Sequence, residues 1–180
     1  MHDAAILSAP TCSLRPYRAS DAEALRAVAD DPLVTRWMTA SFPYPYTRAD
    51  AETWVAHAVA GDPTEHYVIE VGGTFAGAIA AQASSGEYAG TALFGYWLGR
   101  DYWGRGIATD AARTMARYAL RNRGLRRLEA SVFAPNAASA RVLEKSGFTL
   151  EARMRQRVVQ RDGAVVDVLL YARLASDPEP

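Results

Sequence analysis

Gly95-Tyr96-Trp97-Leu98-Gly99-Arg100-Asp101-Tyr102-Trp103-Gly104-Arg105-Gly106-Ile107-Ala108-Thr109 is the stretch on which the reading of this chain turns. Its beginning continues an apolar, aromatic run from Thr91 to Leu98, which reads as a strand. Beyond Gly104 and Gly106, the apolar positions Ala108, Ala111, Ala112, Met115 and Ala119 keep helical spacing over about 105–122, and Gly124 ends the pattern. A strand therefore runs into a glycine-rich turn that opens a helix. Glycines in such a turn let backbone N–H groups converge on one concavity, and the helix start adds partial positive charge. The arrangement suits a phosphate or pyrophosphate, and it is also an ordinary way to pass from strand to helix. It is not a P-loop, because no Gly-Lys-Ser/Thr follows. The third spaced glycine and the acidic ribose ligand of a dinucleotide fingerprint are missing too.

Upstream, His66 to Val71 and Thr74 to Ala83 flank Gly72-Gly73, a two-residue hairpin signal. With Thr91 to Leu98 they predict an antiparallel meander over 66–98. Downstream, Arg127 to Phe133 reads as a strand, and the helical crossover makes it parallel to 91–98. Pro135-Asn136 starts a short helix to Lys145 that Gly147 ends; strands around 149–160 and 164–174 join at Asp162-Gly163. At the front, residues 12–18 form a strand, and Ser20 with Glu23 makes a capping box for a helix that Asp31-Pro32 stops. Trp37 to Tyr46 is an aromatic, proline-broken loop; Thr47 caps a second helix to about Ala60, ended by Gly61-Asp62-Pro63. Ser176 to Pro180 should fray. The expected architecture is α/β: a mixed, mostly antiparallel sheet flanked by helices, in one domain over 1–180 with its core in 12–174.

With 180 residues, 49% apolar and 22% charged, the composition is that of a globular chain and excludes a disordered or collagenous one. Twenty basic and twenty acidic residues cancel, so no broad field favours nucleic acid or a membrane surface as partner. No apolar run reaches spanning length. The one cysteine, Cys12, cannot form an intrachain bridge, and Met1 to Leu7 lacks the features of a secretory leader, so a reducing, cytoplasmic setting is expected. His2, His57 and His66 stand apart with no metal-ligand spacing, so no metal is expected.

Five ordered blocks carry a resemblance. They are Gly95 to Leu98; Tyr102 to Thr109; Leu128-Glu129-Ala130; Asn136-Ala137-Ala138-Ser139; and Val142-Leu143-Glu144-Lys145-Ser146-Gly147-Phe148. Weaker echoes lie at Leu14-Arg15-Pro16, in the Pro43 to Tyr46 loop, and at Asp162-Gly163 with Asp167 and Tyr171. Together they resemble the GNAT acetyltransferase superfamily, and within it the ribosomal-protein N-acetyltransferase-like (RimJ/RimL type) branch of bacteria.

That resemblance implies a GNAT fold whose sheet is split between the two parallel strands, with acetyl-CoA as co-substrate. It implies a pyrophosphate cradle over Trp103, Gly104, Arg105, Gly106, Ile107, Ala108 and Thr109, with Trp103 where the family often has Gln or Arg. The strand carrying Trp97 and Leu98 would pair its backbone with the pantetheine amides. Asn136 would hold the arm from the other side, although Asn is equally a good helix cap. Ser139 is the implied proton donor to the thiolate, or else a helix serine bonded to a preceding carbonyl. Many relatives place a Tyr acid where this chain has Leu143, and a Glu base where it has Leu93-Phe94. Glu87 is the base candidate, with Glu65, Asp101, Glu151 or a water chain as alternatives. Trp37, Phe42, Tyr44 and Tyr46 would line the acceptor entrance. Apart from the resemblance, the basic cluster Arg121, Arg123, Arg126 and Arg127 beside Gly124 reads as a solvated helix end, or as a place where one arginine contacts the CoA 3′-phosphate.

The activity so implied is acetyl transfer from acetyl-CoA to a primary amine by direct attack. The α-amino group of a protein or peptide is favoured, because the nameable entrance is aromatic and holds no clustered carboxylates. An α-amine is also partly neutral near pH 7, unlike a lysine side chain. The alternatives are a small-molecule amine (antibiotic, polyamine or amino acid) and a non-catalytic acyl-CoA-binding module. A monomer or homodimer is expected.

Overall fold

The computed structural model describes residues 5–180; His2 and the rest of the chain start through Ala4 lie outside them. The Gly72-Gly73 signal is realised as a hairpin: β3 (His66–Val71) and β4 (Thr74–Ala83) pair antiparallel, with Val71 opposite Thr74. Both glycines hold positive φ, 56° and 79°, as a tight primed turn requires. β5 (Thr91–Leu98) extends the meander from Ala83↔Ala92 to Gly77↔Leu98. The crossover helix α4 (Ile107–Arg121) then delivers β6 (Arg127–Phe133) parallel to β5. β7 (Thr149–Val159) and β8 (Val165–Leu174) form the terminal hairpin, and β8 inserts between β6 and β7. Two strands at the front, β1 (Leu7–Ser8) and β2 (Ser13–Pro16), complete a sheet ordered β1-β2-β3-β4-β5-β6-β8-β7.

The sheet has a break built into it. β5 and β6 pair only at Thr91↔Arg127, Ala92↔Leu128 and Leu93↔Glu129. Past that point β5 stays with β4, while β6 stays with β8 as far as Phe133↔Val168. Each strand follows its antiparallel partner, and the two diverge. On one face, α4 and the short helix α5 (Ala137–Lys145) cover a core of Phe94, Leu98, Ile107, Met115, Leu128 and Phe148. On the other, α1 (Ala22–Ala29) and α3 (Arg48–Ala60) cover Val68, Phe75 and Ala78.

Three local expectations change. Ser20 does not cap the first helix: residues Ala19–Asp21 form a 3-10 turn ahead of it, which Asp21 closes by accepting the Arg18 N–H at 2.7 Å. Both oxygens of Asp21 also take the Arg15 guanidinium at 2.8 Å, and a buried charge pair outcompetes an exposed serine. Asp31-Pro32 stops α1 but also starts a short helix, α2 (Pro32–Thr35), with Asp31 as cap and proline at its first position. The C-terminal tail does not fray: Glu179 pairs with Arg173 and Arg121 at 3.0 Å and with Arg117 at 3.6 Å. Arg173 is 1% exposed, and a buried guanidinium needs a carboxylate.

Candidate active site

The divergence of β5 and β6 opens a cleft of about 1620 Å³, lined by Phe94 to Leu98 on one side and Ala130 to Phe133 with Asn136 and Ser139 on the other. Strand alternation decides which backbone groups it sees. The Gly99 N–H donates to Ala76 O at 2.8 Å, so Gly99 and Trp97 turn their main chain towards β4. Phe94, Tyr96 and Leu98 turn theirs towards the gap. The Leu98 carbonyl is taken by the Trp103 indole N–H at 2.8 Å. The Leu98 N–H and the Tyr96 main chain are thus the polar groups of this edge that face the opening. The Trp97 backbone, expected to face the arm, is engaged with Ala78 instead, and its indole packs on Phe42 and Phe75.

At the mouth of the split lies the glycine turn. Gly104 and Gly106 hold φ of 71° and 78°, and a Cβ at either would meet no protein atom within 4 Å. The concavity is therefore open space bounded by main chain. The first amide used inside α4 belongs to Asp110, which donates to Gly106 O. The N–H groups of Ile107, Ala108 and Thr109 precede it and have no acceptor in the helix. Arg105, Arg141 and Lys145 also line the cleft. This donor set fits a phosphate-bearing ligand, on geometry and charge alike.

Inside the split, a hydroxyl pair spans the gap. Tyr96 Oη, from β5, lies 2.9 Å from Ser139 Oγ of α5 and donates to the Ser139 carbonyl at 3.0 Å. Burial pushes the phenol up to about 12, so it stays protonated. Asn136 Oδ1 accepts the Ser139 N–H at 3.2 Å, so the carboxamide caps α5, and Asn136 lines the cleft. Leu143 is fully buried core. Tyr96 was missed in the sequence because 43 residues separate it from Ser139; the aromatic character of the Gly-Tyr-Trp block was its only signal.

On the α1/α3 side, Trp37, Phe42 and Tyr46 line the cleft, and the Phe42 ring sits 4.9 Å from Tyr46 and 5.5 Å from Trp97. Tyr44 is outside the lining and 44% exposed. Glu87 is exposed in the turn before β5, at the closed end of the sheet, and does not line the cleft. Glu65 accepts from Ala83 N–H and Arg123, Glu151 pairs with Arg127, and Asp101 is outside the lining. His66 does line the cleft, with Trp54 and His57 beside it.

The arginines of the basic cluster sit at the other end of α4. Arg121 pairs with Glu179, Arg123 with Ala81 O and Glu65, Arg126 with Ala89 O, and Arg127 with Glu129 and Glu151. A 15-residue helix puts roughly 22 Å between them and the glycine turn.

The profile of the Acetyltransferase (GNAT) domain family matches residues 12–149. An 89-residue stretch is 40% identical to "Probable N-acetyltransferase YjcK" of Bacillus subtilis (strain 168), over 49% of each chain. Another of 84 residues is 34% identical to the ribosomal-protein-serine acetyltransferase of Escherichia coli (strain K12), over 47% of this chain and 46% of that one. The chain thus spans about half the length of the curated relatives it matches. Mycobacterium smegmatis RimJ, solved in complex with CoA-disulfide, superposes with a TM-score of 0.80 at 28% identity, covering 96% of this chain and 87% of that one. With a split sheet, a glycine cradle at its mouth and a family match over most of its length, the chain belongs to the GNAT acetyltransferase family.

Proposed function

We propose that this chain is an N-acetyltransferase that moves the acetyl group of acetyl-CoA to the α-amino group of a peptide or protein. The observation that carries the reading is the break between β5 and β6, with an open main-chain turn at one end and a half-buried hydroxyl pair inside. In this reading the amides of Gly104 to Thr109 hold the pyrophosphate, and the Leu98 N–H and Tyr96 main chain take the pantetheine amides as an added strand would. The thioester supplies the acetyl group. Asn136 orients the arm with its amide nitrogen, and Ser139 with Tyr96 gives the departing thiolate a proton.

The acceptor enters from the α1/α3 side, past Trp37, Phe42, Tyr46 and Trp97. Cleft-lining cations (Arg105, Arg141, Lys145 and Arg157) outnumber the one lining carboxylate, Asp50. That field disfavours a polyamine and suits a peptide terminus, whose α-amine is partly neutral near pH 7 with a pKa of about 7.7–8.0. The name of the Escherichia coli relative, a ribosomal-protein-serine acetyltransferase, supports a protein acceptor.

Release of free thiol from acetyl-CoA, measured on a panel of short N-terminal peptides, spermidine and free lysine, tests the proposal. Peptide α-amines should be turned over fastest. Faster turnover of spermidine would overturn the acceptor class, and coenzyme binding with no release on any amine would favour a non-catalytic binding module.

A further inference from the structure

The reading above leaves open which group takes the proton of the attacking amine. Glu87, Glu65, Asp101 and Glu151 all lie outside the cleft lining. The lining carboxylate, Asp50, is engaged in capping α3: it accepts the Thr47 N–H at 2.8 Å and the Thr47 hydroxyl at 2.5 Å. The lining also holds two histidines, His57 and His66, and a neutral imidazole carries a ring nitrogen able to accept a proton.

Strand register singles out His66. It lies opposite Ala80 on β4, and Ala80 lies opposite Gly95 on β5, so His66, Ala80 and Gly95 form one row across three strands. Paired residues share a face, and this is the face that carries Val68, Ala78 and Trp97, under α1 and α3. The next row is blocked by the Trp97 indole, but here the floor is a methyl group and a hydrogen. A Cβ at Gly95 would meet nothing within 4 Å. Gly95 stands two residues past the last β5–β6 pair, where the sheet first opens to the coenzyme side. From there to His66 is two strand spacings, roughly 10 Å. An amine nitrogen and one or two waters fill such a span at hydrogen-bond distances.

The imidazole is prepared for this. It is 8% exposed and held edge-on to Trp54 at 5.3 Å. Burial lowers its pKa below 6.5, so the ring is neutral at pH 7. Glu65 and Asp62 oppose that shift, while His57, 6.1 Å away, and Arg123 add to it.

Building on the acetyltransferase reading, we propose that His66 accepts the proton of the attacking amine, relayed by water along the trough floored by Ala80 and Gly95. The step balances. The amine nitrogen forms its bond to the acetyl carbon, and the carbon–sulfur bond breaks. The amine proton passes through water to the imidazole, which later releases it to solvent. The thiolate takes a proton from the Ser139–Tyr96 pair, which is refilled from solvent.

The test compares wild type with His66→Gln, which keeps bulk and polarity but accepts no proton. Coenzyme affinity is measured by calorimetry, and kcat against pH with a peptide acceptor at saturation. The expected result is unchanged coenzyme affinity, a loss in kcat of about a hundredfold, and disappearance of the acid limb that wild type shows below pH 6.5. An unaltered kcat and acid limb in His66→Gln would overturn the assignment while leaving acetyl transfer intact. Coenzyme binding without acetylation of any amine by wild type would overturn the transfer reading and this one with it. If the variant fails to fold, imidazole NMR of the wild-type protein decides: a His66 ring still charged at pH 7 refutes the proposal, and a neutral ring that water reaches upholds it.

Discussion

Tyr96 Oη lies between the hydroxyl and the carbonyl of one residue, 2.9 Å from Ser139 Oγ and 3.0 Å from Ser139 O. A phenol has a single proton, and the Ser139 carbonyl is placed to accept it. The two hydroxyl oxygens lie within hydrogen-bond distance, and either can be the donor. The two hydroxyls form a short chain across the split, one end on β5 and the other on α5. In the proposed reading Ser139 turns its hydroxyl to the departing thiolate, and Tyr96, which donates to the Ser139 carbonyl, supports it.

This order makes two variants unequal. Ser139→Ala should lower kcat by about tenfold, or about 1.4 kcal/mol of barrier, with coenzyme affinity unchanged. Tyr96→Phe should cost less in kcat, because it removes the supporting group and leaves the donor. Steady-state kinetics beside calorimetry of CoA binding checks the order. A Tyr96→Phe loss larger than that of Ser139→Ala would make the phenol the donor.

The cradle prediction separates strain from ligand contact. Neither Gly104 nor Gly106 has a protein atom in its Cβ direction, so a side chain there clashes with nothing in the protein itself. Gly106→Ala should destabilise the free protein by about 1–2 kcal/mol, through its positive φ alone. Gly106→Val should in addition abolish the rise in melting temperature that CoA gives wild type. A Gly106→Val protein that keeps the full rise would show that the concavity is not where the coenzyme binds.

The acceptor wall depends on a reach from the far end of the chain. Arg161, at the tip of the β7–β8 hairpin, donates to Thr35 O at 3.2 Å, to Thr39 O at 3.0 Å and to Phe42 O. It clamps the loop whose Phe42 packs tilted on Tyr46 and edge-on to Trp97. Arg161→Met should raise the acceptor KM by about tenfold, consistent with loss of one or two charged hydrogen bonds. Phe42→Ala should do the same and Tyr44→Ala should not, with the acetyl-CoA KM unmoved in all three. If Tyr44→Ala proved the most damaging, the acceptor would have to approach outside the cleft.

How far such features could be read in advance follows the length of the interactions behind them. The bounds 66–71, 74–83, 91–98, 127–133 and 137–145 are the same in sequence and structure, because alternation, turn glycines and caps act over a few residues. The glycine turn that opens α4 was legible for the same reason. Tyr96 with Ser139, Arg161 with Phe42, and the row His66–Ala80–Gly95 join residues from separate elements. Each depends on register or on a helix position that one-residue slippage would undo. Glu87 is one of several carboxylates that the sequence offers as base candidates, and it lies at the end of β5 away from the opening. The arginine cluster lies at the end of α4 opposite the glycine turn, where its ion pairs fit a solvated helix end.

The tail offers a stability test. Glu179 is the carboxylate partner of Arg173, whose side chain is 2% exposed and otherwise reaches Ser146 O. Glu179→Gln should destabilise by about 2 kcal/mol, less than the 3–5 kcal/mol of a fully buried pair because Glu179 is itself 36% exposed. Chemical denaturation measures it directly. No change would mean that Arg121 and Arg117 hold Glu179 only loosely and that solvent already serves Arg173.

His66 also makes a prediction that needs no substrate. An unfolded imidazole titrates near 6.5. In the fold, burial pulls it lower, with Glu65 and Asp62 opposing and His57 and Arg123 adding to the effect. Between the folded value and 6.5 the unfolded chain binds more protons, so the free energy of unfolding rises with pH across that window. The contribution is therefore fully present above pH 6.5 and is lost as pH falls towards the folded value. Denaturation midpoints of wild type should drop from about pH 7 to about pH 5.5, and His66→Gln should drop less, since glutamine has nothing to protonate. Carboxylates titrate mostly below this range and act on both proteins alike. Parallel pH dependences in the two proteins would mean that the ring is as easily protonated inside the fold as outside. Its seat beside Trp54 would then be no barrier to charge, and burial would not be what keeps the imidazole ready to accept a proton.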